Sequence, residues 1–171
     1  MHPHPSEARA VMRSIATRIA GPALALTLAC GGALGQAQNG ATAPAYDAAL
    51  AQSSGADDYG MRRYVLVILK SSPTPLPSGP SRDEMFKGHF ANIKRLAAEG
   101  KLALAGPLDG AEGRRGIFVL AVSDLEEAKR LVATDPVVAQ GEMLAEYHRF
   151  YGSAALMQVN ELHPRLARKN F

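Results

Sequence analysis

One cysteine, Cys30, is all that the 171 residues contain, so no disulfide closes within the chain and no cysteine-rich metal site forms from it. The other metal-binding signatures are missing as well. There is no His-Glu-x-x-His, and the histidines and acids have no close ligand spacing. There is no Gly-x-Gly-x-x-Gly and no P-loop; Asp109-Gly-Ala-Glu-Gly-Arg-Arg-Gly116 is a turn-rich loop whose arginines make a weak case for phosphate. A large excess of one charge is lacking too. The formal charge is +3, and residues 1–37 hold Arg9, Arg13 and Arg18 against Glu7, so the remainder has 16 basic and 15 acidic side chains. A balance of +1 is no electrostatic footprint for nucleic acid. The reading expects no cofactor, no metal and no nucleic-acid partner.

A long hydrophobic run is also absent. The longest apolar stretch, Pro22 to Leu34, is too short for a persuasive membrane span. It follows a basic segment and precedes the small residues Gly35-Gln-Ala37, which is the order of a signal peptide. Residues 1–37 are therefore expected to direct export, to a periplasmic or secreted location, with cleavage after Ala37 and with Met1 or Met12 as the start. Leu28-Ala-Cys-Gly31 resembles the end of a bacterial lipobox, although Thr27 stands where leucine is preferred. That leaves a lipoprotein, and hence membrane attachment through Cys30, as an alternative. The intact mass of the exported protein separates cleavage before Cys30 from cleavage after Ala37. Residues 38–62, rich in Ala, Gly, Ser, Gln and Asp, read as a flexible linker.

What is present is a folded region over 63–152, with 153–171 as a C-terminal extension. Arg63-Tyr-Val-Leu-Val-Ile-Leu-Lys70 and Ile117-Phe-Val-Leu-Ala-Val122 are continuously apolar and rich in β-branched residues, as central strands covered on both faces are. Between them, Phe86, Phe90, Ile93 and Ala97 recur at i, i+4, i+7 and i+11, predicting an amphipathic helix from about Asp83 to Glu99 that ends at Gly100. Leu102 to Ala105 is a short strand. Ser71 to Pro80 holds four prolines and must be a loop, of a length often found over active sites. Ser123-Asp-Leu-Glu126 reads as a capping box for a second helix with Leu125, Ala128, Leu131 and Val132 on one face, stopped at Asp135-Pro136. Met143 to Phe150 is a fourth, more polar strand suited to an edge.

The order strand, helix, strand, strand, helix, strand is the ferredoxin-like βαββαβ pattern, an α+β fold with an antiparallel sheet. Two helices cover one face of such a sheet. The other face needs a second cover: another subunit, making a homodimer through the sheet face, or the tail from Gly152 to Phe171.

One histidine on the first helix is not required by packing. Imidazole both takes and gives a proton near neutral pH, and a carboxylate accepting from one ring nitrogen sets the other up as a base. His89 is thus a candidate acid or base. His148 on the polar strand is a secondary candidate, and Tyr64, Tyr147 and Arg149 are candidates to line a pocket or bind an anion. Gly88, next to His89, either leaves room for a ligand or eases helix packing.

Taken together, the Tyr-Val strand opening, the helix around His89, Glu99-Gly-Lys-Leu102, Ala105-Gly-Pro107, Asp135-Pro-Val137 and Ala145-Glu-Tyr-His148 resemble the YCII-related domain proteins over about residues 64–152. The resemblance implies a ferredoxin-like fold of the dimeric α/β-barrel group and an active site made of the helix histidine and an aspartate, which fall on His89 and Asp135 here. Relatives include a dehydrochlorinase, and structural neighbours include muconolactone isomerase. The expectation is a small cofactor-independent enzyme of the isomerase or lyase type acting on a small organic acid, for which Tyr64, His148 and Arg149, singled out above from their own chemistry, are the binding candidates. The alternative is a noncatalytic periplasmic module that binds a ligand or a protein partner. An export signal, the proline loop and the C-terminal extension depart from the family's usual short form.

Overall fold

The computed structural model describes residues 44–169. The leader expected at 1–37, with Cys30, lies outside the described residues, as does the start of the expected linker. Four strands, β1 (Met61–Ser71), β2 (Leu102–Pro107), β3 (Arg114–Leu120) and β4 (Met143–Ser153), form one antiparallel sheet in the order β2-β3-β1-β4. The two continuously apolar segments are its central strands and the polar one is at an edge. With the helices α2 (Pro80–Ala98) and α3 (Leu125–Ala133) in the crossovers, this is the ferredoxin-like α+β arrangement.

The sheet divides its side chains by alternation. Val65, Val67 and Leu69 of β1, with Phe118 and Leu120 of β3, face the helices and build the main core with Met85, Leu96, Ala128 and Val132. Tyr64, Ala103 and Val119 make a second cluster on the opposite face, covered by Leu156 and Met157. These two come from a 3₁₀ turn (Ala154–Gln158) that leads into a terminal helix, Val159–Leu166. The tail thus covers one end of its own sheet, and Asn160 donates to the Leu102 carbonyl on the β2 edge at 2.7 Å.

Three local expectations are corrected. The segment read as a flexible linker contains a helix, α1 (Ala48–Ser54), because Asp47 caps its start by accepting from the Leu50 amide and Gly55 ends it with φ 66°. Arg62 donates to the Ser54 carbonyl at 2.9 Å and Gln158 to the Ser54 hydroxyl at 3.0 Å, which ties α1 to the sheet and tail. The cap of α3 is Asp124, not Ser123. Its carboxylate accepts from the Glu127 amide at 2.7 Å, one residue later than the capping box predicts. The deepest line of α2 is Met85, Asn92 and Leu96, not the Phe86, Phe90, Ile93 and Ala97 stripe. Phe86 and Ile93 are half-buried and Phe90 is 51% exposed, because open space lies beneath them.

Candidate active site

That open space is a cavity of about 330 Å³ between α2 and the sheet. Phe86, Phe90 and Ile93 form its helical wall, and Leu69, Phe118 and Met143 its floor. The proline-rich loop contributes nothing to the wall. In an otherwise apolar lining, His89 and Arg115 carry the polar side chains.

His89 reaches the cavity from the middle of α2. Its ring stacks on Phe118 at 5.9 Å between centroids and meets Phe86 edge-on at 6.3 Å. Nδ1 stands 2.9 Å from both Oδ1 and Oδ2 of Asp135, a carboxylate with 0% exposure beside a ring with 12%. A buried carboxylate is costly unless its lone pairs are filled. Asp135 fills them with His89, with the Asn92 side-chain amide on Oδ2 at 3.2 Å, and with the Val137 backbone amide on Oδ1 at 3.1 Å. The last bond caps a single helical turn, α4 (Pro136–Ala139). Because an ionised carboxylate only accepts, Nδ1 of the neutral ring carries the proton and Nε2 holds the lone pair. Nε2 has no hydrogen-bond partner among the described residues, and no buried side-chain nitrogen or oxygen there lacks one. Nε2 is therefore accessible, in a ring that lines the cavity.

Asn92 is the residue that sequence reasoning missed. It lies three positions after His89, on the same helix face, and is 7% exposed. Its amide is oriented from outside: Arg95 donates to Oδ1 at 2.7 Å and to the Thr134 hydroxyl at 2.9 Å. A polar residue in the deepest line of an amphipathic helix is the signal that marks it. Gly88 has a packing explanation. A Cβ there would sit 2.9 Å from Cγ of Pro136, so glycine lets α2 come close enough for His89 to meet Asp135.

Glu142 is a second residue that local sequence pattern does not mark. It is 2% exposed, accepts from Arg82 at 2.6 Å and from the Leu76 amide at 2.9 Å, and so anchors the proline loop to the start of β4. The hydrogen bond from Arg82 holds its carboxyl below the usual range, against the opposing effect of burial.

The remaining candidates do not join the site. Tyr64 is on the sheet face opposite the helices, tilted against Phe150, and its hydroxyl donates to the Ser153 carbonyl at 2.9 Å. Burial pushes its phenol up. His148 pairs in register with Leu66 on that same opposite face, and its Nε2 is 2.9 Å from Glu146. Alternation along β4 sends it away from His89. Arg149 faces the helical side but lies at the far end of the sheet, in a separate polar cleft with Asp57, Arg63, Lys101 and Tyr151. Tyr147 packs on the main core. Among the described residues no group of three or more His, Cys, Asp or Glu is placed to hold a metal ion.

The family model for the YCII-related domain matches residues 63–150, and the chain belongs to that family. It is 40% identical over 58 residues to the uncharacterized protein YjpA of Bacillus subtilis (strain 168); the match spans 34% of this chain and 66% of YjpA, just under two thirds of that relative. It is also similar to the solved structure of 5-chloro-2-hydroxyhydroquinone dehydrochlorinase from Burkholderia phenoliruptrix AC1100, in complex with 2,5-dihydroxybenzoquinone. That likeness has 20% identity and a TM-score of 0.39, over 51% of this chain and 92% of that one.

Proposed function

We propose that this YCII-related protein is a cofactor-independent acid–base enzyme of the isomerase or lyase type, acting on a small organic acid with an acidic C–H bond. The observation that carries the reading is the 2.9 Å contact of His89 Nδ1 with both oxygens of Asp135, beside an apolar cavity that His89 lines. Nε2 takes the proton, and the bonding electrons move toward an adjacent carbonyl. The proton returns to another carbon in an isomerisation, or a leaving group departs in an elimination. Asp135 keeps the ring in one tautomer and offsets the charge of the imidazolium that forms. The surrounding phenyl rings give the substrate an apolar surface beside the base.

The test does not need the natural substrate. A panel of small cyclic carboxylic acids with acidic C–H positions is incubated in D₂O with the wild-type chain, and deuterium uptake is read by proton NMR. Uptake by at least one of them is expected. His89→Ala should abolish it, and Asp135→Asn should lower it by roughly two to four powers of ten. His89→Ala should melt lower than the wild type, since buried Asp135 loses a partner, so uptake is compared at a temperature where circular dichroism shows both proteins folded. Uptake that persists in His89→Ala sinks the reading.

A further inference from the structure

We propose that Arg115 selects the charge of the ligand: the cavity takes a compact organic anion, held through its anionic group by the Arg115 guanidinium, with its apolar body against Phe86, Phe90 and Phe118. This deepens the proposed function by assigning the group that recognises the acid.

The first observation is how Arg115 comes to be there. In the ladder between β1 and β3, Leu69 pairs with Gly116 and Lys70 with Arg114, so Arg115 is the extra residue of a bulge. A bulge interrupts strict alternation and re-aims a side chain. Arg115 is part of the cavity lining together with Gly116, Gly106 and Pro107. The close passage of β2 past this point is visible at Gly116, where a Cβ would stand 3.1 Å from the Gly106 carbonyl oxygen.

The second observation is its lack of a counter-ion. The neighbouring cations are engaged: Lys70 by Glu146, Arg114 by Glu112 and Arg82 by Glu142. Arg115 has no ion pair and no side-chain hydrogen bond among the described residues. Glu142 feels its positive charge, but the lone pairs of that carboxylate are already taken by Arg82 and the Leu76 amide. A guanidinium keeps its charge at any working pH and presents a planar fork that fits a carboxylate. An apolar wall with one unpaired guanidinium and one imidazole is the lining a small acid needs, and about 330 Å³ is at the small end for ligand sites.

The test measures binding without turnover. Benzoate and its neutral isostere benzamide are titrated against the wild-type chain and Arg115→Met, following amide shifts by NMR. Benzoate should bind the wild type at least about tenfold more tightly than benzamide, as a charge-assisted pair requires. In Arg115→Met the preference should vanish while benzamide affinity stays the same. Equal affinities in the wild type, no binding of benzoate, or a preference that survives in Arg115→Met each overturns the assignment. His89→Ala is the third arm. It should keep the preference, whereas loss there alone would make protonated His89 the anion site and overturn the role of Arg115. A protein that prefers benzoate yet exchanges no deuterium retains this anion site and loses the acid–base reading, so the two fail separately.

Discussion

His89 depends on a glycine. An alanine at position 88 would gain about 1 kcal/mol of helix propensity. Its Cβ would meet the Pro136 ring at 2.9 Å, a contact that must be relieved by moving α2 or α4, and overpacking of this kind costs roughly 1–3 kcal/mol. The packing term is the larger. Gly88→Ala is therefore expected to destabilise the protein by about 1 kcal/mol and to disturb the single Nδ1–H tautomer of His89. Chemical denaturation and a long-range proton–nitrogen correlation spectrum of the imidazole report the two effects. A more stable Gly88→Ala protein with the same tautomer would show that the approach of Pro136 is not needed. At this scale the sequence is informative about His89 and Gly88 as unusual residues and marks Asn92 only as a polar residue on a helix, whose role comes from Asp135 at the cap of α4 being brought against it.

The elements that frame the site are held by groups far apart in the chain. Within the proline loop the Thr74 amide donates to the Ser72 hydroxyl at 3.2 Å. The loop is held to the rest of the domain by Glu142, 66 residues beyond Leu76, whose carboxylate accepts from the Leu76 amide and whose carbonyl accepts from the Ser72 amide. Since the folded carboxyl of Glu142 lies below its ordinary value of about 4.3, its contribution to stability is fully present above that value. It is lost as pH falls through the depressed folded value. Glu142→Gln removes the charged partner of Arg82 and should cost about 2 kcal/mol at neutral pH, with a flatter loss of stability on acidification than in the wild type. Urea denaturation at neutral and acidic pH checks both, and parallel acid limbs in the two proteins would exclude Glu142 as a source of the slope. The α2 helix teaches a related lesson. Its Phe-rich stripe satisfies the rule for a buried face, yet the cavity lies under Phe86, Phe90 and Ile93. Although Phe86 and Ile93 also touch the core, the deepest residues are the neighbouring Met85, Asn92 and Leu96.

For the whole molecule, the sheet face opposite the helices is only partly covered by the chain's own tail. The tail shields Tyr64, Ala103 and Val119, while Ile68 is half-buried and Leu144 is 54% exposed on the same face toward the other end. We propose a homodimer in which a second chain covers that remainder. Light scattering should give twice the chain mass, and Leu144→Glu should shift it to the monomer without loss of helical signal; a wild type that is monomeric at all concentrations refutes this.

The sequence by itself determined the order of strands and crossover helices, the choice of central strands and the candidacy of His89, since each follows from hydrophobic periodicity and residue chemistry along short stretches. The family resemblance named Asp135 as the partner of His89, while the tertiary structure alone supplied their contact and the other partners. The 46 positions between His89 and Asp135 carry no local signal of their meeting, which depends on where two crossover connections end. Strand alternation, together with position along the sheet, sent Tyr64, His148 and Arg149 elsewhere, and a one-residue bulge placed Arg115 at the cavity. Pairing across a sheet and approach between helices are set by the packing of the whole domain, and the sign of a side chain's direction can change with a single residue of register.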